Sequence, residues 1–365
     1  MHRLGIATLA LLFLPPLLAA PGDTPDSVYT AACAACHGED GRGAPPERVG
    51  LEMPLPDFTD CQFAPREPDS DWLAVTHVGG PGRAFAREMP AYDAALTSEQ
   101  AKLAMLKIRS FCTDPAWPRG ELNLPRPLAT EKAFPEDEAV ITTSYALDGP
   151  GAAANKLIYE KRLGARNQLE VIVPFSWQER RGAPGQPAST SGGIGDIALG
   201  MKRVMFHSLA RGTIFSIAGE VKLPTGSESR GFGSGTAAFE PFLAFGQILP
   251  GDGFVHVQTG AELPFESGHD DEGFFRVAAG RSFTEGRFGR TWSPMVEVLG
   301  KGDLKSTLRF HWDWMPGVQV SLSTRQHILG AIGVRMPLND RGDTDPQLVL
   351  YILWDWFDGG LTDGW

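Results

Sequence analysis

From about residue 138 to the C-terminus, apolar and polar side chains alternate along segments that are separated by Gly, Asp and Pro turns. In Leu308-Arg309-Phe310-His311-Trp312-Asp313-Trp314, every apolar side chain falls on one face of an extended strand and every ionisable one on the other. Such segments predict an all-β domain. In a soluble sandwich the apolar face packs against a second sheet, whereas in an outer-membrane barrel it faces lipid and the charged face lines the lumen.

The number and length of the segments favour the barrel. Twelve candidate strands can be marked, which is an even number, and several are longer than the usual sandwich strand. They cover residues 138–147, 154–163, 167–178, 195–207, 212–223, 236–248, 253–265, 272–284, 290–300, 305–322, 326–337 and 346–357. Aromatic residues near strand ends, such as Trp177 and Trp314, are placed to form girdles at the membrane interfaces. We therefore predict an antiparallel transmembrane β-barrel of about 12 strands over residues 138–365.

Two stretches of this region resemble a known barrel family. The stretches are Gly193-Ile194-Gly195-Asp196-Ile197-Ala198-Leu199-Gly200-Met201-Lys202 and Gly219-Glu220-Val221-Lys222-Leu223-Pro224-Thr225-Gly226. The family they resemble is named after the meta-pathway of phenol degradation and is grouped with outer-membrane transporters. This resemblance implies the fold and says little about the substrate. Asp196, Glu220, Glu240 and Glu262 are candidates to line a lumen, and the scattered histidines of the barrel have no metal-ligand spacing.

Residues 1–20 have the features of a secretory signal peptide. A basic start and an apolar run lead to the small pair Ala19-Ala20, just before Pro21. A membrane-spanning helix is the alternative, but the run contains Pro15-Pro16 and falls short of the roughly 20 apolar residues that a spanning helix needs. Export is therefore expected, into an oxidising compartment that permits disulfides.

Cys33-Ala34-Ala35-Cys36-His37 has the spacing by which a c-type haem is attached covalently. The two thiols can form thioethers to the haem edge, and His37 is placed to bind the iron. The alternatives are a disulfide between the neighbouring cysteines or a thioredoxin-like redox pair, and neither requires a histidine after the second cysteine. We therefore predict one covalently attached haem c in residues 21–115.

Met89 is the predicted second axial ligand of the iron, because it lies just before the last helix expected in this part of the chain. A methionine ligand closes the iron to small molecules, which suits an electron carrier rather than an enzyme. Met53 and His77 compete for this position, and an open iron site is a further alternative. Only an open site would suit a peroxidase-like enzyme, so we assign no catalytic residue.

Two cysteines, Cys61 and Cys112, remain once Cys33 and Cys36 are assigned to the haem. In an exported protein this favours a disulfide between them over two free buried thiols.

Residues 24–113 as a whole resemble a class I mono-haem cytochrome c. The residues that carry the resemblance are Tyr29, Cys33, Cys36, His37, Gly38, Pro56-Asp57-Phe58-Thr59, Gly79-Gly80, Met89-Pro90-Ala91-Tyr92 and Leu96-Thr97-Ser98-Glu99-Gln100. The resemblance implies a small all-α fold with Cys33 and Cys36 as haem attachment points and His37 and Met89 as iron ligands. Cys61 and Cys112 depart from the simplest pattern of that family.

Residues 116–137, between the two parts, are rich in proline and charge and indicate a linker. The formal net charge of −11 argues against nucleic acid as a partner and suits contact with basic redox proteins. Our main functional hypothesis is electron transfer by a periplasmic cytochrome domain that the barrel tethers to the outer membrane, with periplasmic redox proteins and membrane lipid as partners. The alternative is an outer-membrane channel or transporter for a small or hydrophobic compound, with the haem domain as a redox gate or sensor.

Overall fold

The computed structural model of the chain describes residues 22–50, 55–148, 151–180, 189–304, 310–339 and 345–365. The predicted signal peptide, residues 1–20, and the candidate ligand Met53 lie outside the described residues. Two parts can be distinguished: a helical region, defined here as residues 25–111, and a β-barrel formed by residues 138–355. Within the described residues, none of the helices has the length and apolar content to cross a membrane.

Five helices make up the helical region, and two of them have strong N-terminal caps. The helices are α1 (Pro25–Ala32), α2 (Ala34–His37), α3 (Pro46–Val49), α4 (Asp69–Gly82) and α5 (Ser98–Phe111). Thr97 and Gln100 form a capping box at the start of α5, and Thr24 and Ser27 form another at α1. A small core packs around Tyr29, Phe58, Met105 and Ile108. These short helices do not by themselves show the predicted cytochrome c fold.

The rest of the described chain is a single antiparallel sheet. Its strands are β1 (Glu138–Ala146), β2 (Ala152–Leu163), β3 (Asn167–Arg180), β4 (Ser189–Ile194), β5 (Ala198–Ser208), β6 (Thr213–Lys222), β7 (Ala238–Leu249), β8 (Gly253–Pro264), β9 (Glu272–Arg281), β10 (Phe283–Thr284), β11 (Thr291–Asp303), β12 (Phe310–Ser321), β13 (Ile328–Pro337) and β14 (Gln347–Asp355). Neighbours in sequence are neighbours in the sheet, and β1 pairs with β14. The sheet is therefore closed.

Two of the short strands continue their neighbours and do not add to the ring. β4 pairs with the second half of β3, whereas β5 pairs with the first half. β4 and β5 therefore occupy one strand position in the ring, and we call each such position a stave. In the same way β9 and β10 both pair with β11. The barrel thus has twelve staves, and the predicted strand number is confirmed.

Side-chain alternation separates an apolar outer wall from a polar inner wall. Along β5, the outward Leu199 and Met201 are 49% and 59% exposed, whereas the inward Lys202 is only 4% exposed. Leu169 and Val171, which share the outward face of β3, are exposed too. This is the arrangement of a transmembrane barrel, in which lipid covers alternate residues.

The two ends of the barrel differ in the length of their connections. We define the lower rim as the end that carries Glu138 and Asp355, which pair with each other. Short connections lie at this rim, including residues 164–166, 209–212 and 250–252. The opposite end, the upper rim, carries longer connections such as residues 223–237. The helical region packs at the lower rim, where Arg287 donates a hydrogen bond of 2.7 Å to the hydroxyl of Ser98.

Candidate functional site in the barrel lumen

Residues 116–137, which we call the lumen segment, lie inside the barrel and not in solvent as a linker would. The apolar side chains of this segment pack on inward residues from staves around the whole ring. Leu122 packs with residues of β5, β6, β7 and β9, and Leu124 packs with Phe254 and Met295. Leu128 packs with residues of β1 and of β11 to β14. The prediction of a solvated linker is therefore corrected.

One wall carboxylate holds the innermost turn of the lumen segment. Glu297 lies midway along β11 and is fully buried. Its carboxylate accepts hydrogen bonds from the backbone N–H groups of Leu128 (2.6 Å) and Thr130 (2.8 Å) and from the Thr130 hydroxyl (2.7 Å). The N–H of Ala129 also donates to it, at 3.2 Å. We call this arrangement the Glu297 latch.

Other wall side chains satisfy the remaining backbone groups of the lumen segment, as burial requires. Two glutamines accept hydrogen bonds from backbone N–H groups: Gln258 from that of Glu131 at 3.0 Å, and Gln168 from that of Glu136 at 2.7 Å. Two hydroxyls donate to backbone carbonyls: Ser216 to that of Ala133 at 2.6 Å, and Tyr351 to that of Arg126 at 2.8 Å. These partners stand on β8, β3, β6 and β14. The lumen segment is therefore held from several sides.

Buried charges complete the contact between the lumen segment and the wall. Arg126 forms ion pairs with Glu138 and Glu160, the latter at 3.1 Å, and all three side chains are nearly inaccessible to solvent. Lys202 reaches inward from β5 to the Glu131 carboxylate at 2.9 Å. Buried charges are tolerated only when they are paired. The lower half of the lumen is therefore a matched polar interior.

A row of acidic side chains follows the inner wall from Glu160 and Glu170, which lie beside the lumen segment, towards the upper rim. Register aligns Glu160 with Glu170, Glu170 with Gly200, Gly200 with Glu220, and Glu220 with Glu240. Gly200 leaves room in this row, because a Cβ atom there would lie 3.0 Å from Glu220 Cγ and 3.2 Å from Glu170 Oε1. Four acidic residues thus form a continuous row across the wall.

Basic residues offset part of this acidic row. Lys222 forms ion pairs with Glu240 and Glu262, and Arg335 forms one with Asp313. Glu220, Glu240 and Glu262 line the lumen, as we predicted. Asp196 does not, since it lies between β4 and β5, where it accepts hydrogen bonds from the N–H groups of Gly226 and Ser234. The upper lumen is therefore polar and strongly charged.

The predicted cofactor-binding residues come together in a second place. Cys33, Cys36, His37 and Met89 all line one cavity of about 670 Å³, which the helical region forms together with lower-rim residues such as Arg325 and Phe357. The His37 ring stacks on Phe58 at 4.9 Å between centroids, and its Nδ1 is buried without a hydrogen-bond partner among the described residues. Both cysteines are free thiols. The role of these four residues as cofactor ligands stays a prediction.

Burial governs the electrostatics of that cavity. It raises the pKa of the Cys33 thiol to about 11, with a smaller contribution from Cys36. It also lowers the pKa of His37, because the imidazolium form is the one that loses hydration. Both groups are therefore uncharged at neutral pH.

The remaining sequence candidates have structural places. Cys61 and Cys112 form the predicted disulfide, with a Cα–Cα distance of 5.2 Å, and it ties the loop before α4 to the end of α5. His77 contacts the lower rim through a 2.8 Å hydrogen bond to Arg287. Met105 is buried in the helical core.

The lower rim holds the helical region through the residues that flank the barrel. Arg66 forms a buried ion pair with Asp137, the last residue of the lumen segment. Arg325 donates to the Ala84 carbonyl and lies over the Phe85 ring at 4.5 Å. Phe357, just after β14, packs against Phe63 with 6.2 Å between ring centroids. The lumen segment and the helical region are therefore attached to the same rim.

Three carboxyl groups meet at this contact. Carboxylate oxygens of Glu67, Asp355 and Asp358 lie within 4.8 Å of one another. Burial and the neighbouring carboxyl of Asp358 hold the pKa of Glu67 well above its usual range. Burial, together with Asp71, raises the pKa of Asp358 from 3.8 to about 6. In the docked state these groups therefore bind protons that they release when the contact opens.

We expect docking of the helical region to weaken as the pH rises. Because the folded-state pKa of Asp358 is raised, its contribution is fully present below about pH 4 and is lost as the pH rises through about 6. Asp358→Asn should flatten this dependence and stabilise docking at neutral pH. Limited proteolysis of the helical region across this pH range measures the effect. Asp252→Asn, which changes an exposed carboxylate in a turn of the lower rim, is the control, and equal pH profiles for the two variants would contradict the assignment.

The closed ring of twelve staves, the apolar outer wall and the charged lumen define an outer-membrane β-barrel. The model of a family described as "Putative MetA-pathway of phenol degradation" matches residues 151–334, about half of the chain. The chain belongs to this family. No curated protein sequence matches the chain.

Solved structures of low identity are similar to the chain over the barrel. An outer membrane channel from Pseudomonas putida F1 covers 63% of this chain and 99% of its own, at 12% identity and a TM-score of 0.43. The NanC porin covers 59% of this chain and 97% of its own, at 9% identity and a TM-score of 0.41.

These comparisons correct two predictions. Electron transfer by a c-type cytochrome is wrong as the main function, because the family match lies in the barrel, and the alternative of an outer-membrane channel fits better. The predicted haem c cofactor is contradicted as well, since the family to which the chain belongs is matched over the barrel and not over residues 21–115. A fused cytochrome c domain is not shown, and the domain boundaries at residues 20, 115 and 137 stay predictions.

Sequence analysis missed the lumen segment and its latch. A signal was present, because Leu122, Leu124, Leu128 and Phe134 give this proline-rich stretch more apolar side chains than a solvated linker requires. Glu297 had no comparable signal. Its inward position follows from alternation along β11, but its partners lie more than a hundred residues away in sequence.

Proposed function

We propose that this protein is an outer-membrane channel for small polar solutes and that its helical region lies on the periplasmic side. The observation that carries the proposal is the row of charged side chains on the inner wall, from Glu170 beside the lumen segment through Glu220 to Glu240. Charged groups on this wall need water or ion partners, because isolated charges are costly to bury. Membership of a barrel family supports the same function.

Polar solutes suit this interior better than the hydrophobic compound of our earlier alternative. A hydrophobic compound would have to displace water from Lys222, Glu240 and Glu262 without replacing their hydrogen bonds. A polar solute can exchange hydrogen bonds with those groups. The short connections at the lower rim support a periplasmic position for that rim, because barrels of this class carry short periplasmic turns and longer outer loops.

The lumen segment occupies the lower half of the passage, so the test must displace it without breaking the barrel. We expect the full-length protein in a planar bilayer to give few conductance steps in buffer and clear steps in urea at a concentration that leaves the barrel folded. Removing the urea should restore the quiet state. Heat-modifiable migration on gels verifies that the barrel stays closed. An absence of steps in urea, with protease cleavage proving that the lumen segment is displaced, would contradict the channel function.

A further inference from the structure

We propose that the lumen segment is a releasable plug, latched by Glu297 and contacted at both ends by the helical region, which therefore controls the channel. This inference rests on the proposed channel function. It concerns regulation of the passage and not the solute.

Barrel closure does not depend on the lumen segment. All twelve staves are joined by pairings between strands, and the last of these joins β1 to β14 directly. No residue of the lumen segment belongs to a strand of the sheet; its only regular element is a short helical turn at residues 120–122. The segment can therefore leave without breaking any strand pairing in the wall.

The path of the lumen segment also permits its withdrawal. It begins beside the helical region, where the Gly120 N–H donates to the Pro65 carbonyl at 2.7 Å and Arg119 pairs with Asp69 at 2.9 Å. It reaches the Glu297 latch and then returns to the lower rim, where Asp137 pairs with Arg66. A loop that enters and leaves by the same opening can be withdrawn without threading.

The two ends of the lumen segment are held by neighbouring residues of the helical region. Pro65, Arg66 and Asp69 contact one end or the other. Gly120 sits so close to this patch that a Cβ atom would lie 2.1 Å from the Arg66 carbonyl oxygen. Movement of the helical region away from the lower rim would therefore pull on the N-terminal end. At the other end it would break the Arg66–Asp137 ion pair, while Asp137 stays joined to β1 and bonded to the Arg162 N–H at 3.0 Å.

Glu297 is suited to a latch because its environment is acceptable in both states. In the closed state, three consecutive backbone N–H groups and one hydroxyl surround its carboxylate. In the released state the same carboxylate would face a hydrated lumen beside Gln258 and Arg276, which also contact the segment. Hydrogen bonds to a charged acceptor are the stronger kind, yet water can replace them. Closure is therefore stable and reversible.

The test compares latch variants in planar bilayers without denaturant. Glu297→Leu should raise the open probability at least about tenfold, because the three N–H groups and the hydroxyl lose a charged acceptor. Glu297→Gln keeps one carbonyl acceptor and should have a smaller effect. Glu285→Gln removes a carboxylate at the lower rim that accepts a hydrogen bond from Trp292 and contacts no described residue of the lumen segment, and it should behave as the unmodified protein. Equal open probability for all three variants, in proteins that still open in urea, would overturn the latch.

A crosslink keeps the proposal testable if Glu297→Leu fails to fold. Ser216→Cys and Ala133→Cys place thiols on neighbouring residues of the wall and the lumen segment, since the Ser216 hydroxyl is now bonded to the Ala133 carbonyl. All four native cysteines are replaced by serine in this background, so that reductant acts on the crosslink alone. The oxidised protein should stay closed even in urea, and reduction should restore opening. Conduction by the crosslinked protein equal to that of its reduced form would overturn the plug. Because the reduced form still conducts in urea, this failure is distinguishable from failure of the channel function.

Discussion

Replacing Arg126 by methionine should destabilise the protein by about 3 to 5 kcal/mol, because the change leaves Glu138 and Glu160 buried without their cation. Arg126 is itself only 7% exposed, so water cannot take its place without opening the lower half of the lumen. A closed barrel migrates as a compact form on gels when the sample is not heated. We expect the variant to lose this form at a markedly lower temperature than the unmodified protein. Conductance in buffer should rise as well, since the lumen segment loses its strongest ionic contact.

Two further variants test whether the lost stability comes from the buried carboxylates that remain without a cation. Arg211→Met removes an exposed arginine from the lower rim and should leave the denaturation temperature unchanged. Adding Glu160→Gln to Arg126→Met should recover part of the lost stability, because one of the uncompensated carboxylates becomes neutral. If Arg126→Met and Arg211→Met denature at the same temperature, the buried ion pairs do not hold the segment in the way described.

Loss of the Cys61–Cys112 bridge should destabilise the helical region by about 4 kcal/mol in the chain-entropy model, given a sequence separation of 51 residues. The bridge ties the loop that precedes α4 to the end of α5, and the helical region has only a small core to compensate for its loss. Cys61→Ser with Cys112→Ser should therefore expose this region to protease while the barrel stays closed. The loss of stability is expected in the helical region alone.

The measurement is the rate of proteolysis of the helical region across a temperature series, with barrel closure followed on gels. Unmodified protein treated with reductant should behave as the double variant does. The double variant should not respond further to reductant. A double variant with the proteolysis rate of the oxidised protein would show that the small core around Tyr29 and Met105 holds this region without the bridge.

The fold of the barrel could be predicted from the sequence because alternation is a local property. Leu169 and Val171 lie outward as their spacing requires, and twelve segments give twelve staves. Boundaries were less accurate. One predicted strand ended at residue 178 and the next began at residue 195, but Ser189–Ile194 continue the ladder with β3, because β3 extends to Arg180 and offers pairing partners beyond β5.

The interior of the barrel could not be predicted in the same way. Proline and charge in residues 116–137 indicate solvated chain when they are considered alone. What places the segment inside is the sum of distant partners, such as Gln168 for Glu136 and Ser216 for Ala133. A pattern read along the chain contains no information on such pairings. The cavity between the helical region and the lower rim is an intermediate case, since its four predicted residues did come together while the predicted cofactor was contradicted.

Pairing of β1 with β14 also sets an order of assembly. These strands lie at opposite ends of the barrel sequence, so the ring cannot be completed until the last stave has been synthesised and has found the first. The helical region is made first, but it docks partly on Phe357 and Arg325, which are in place only near the end. Its docking therefore marks a finished barrel, and truncating the chain after β13 should leave a folded N-terminal region with nothing to bind.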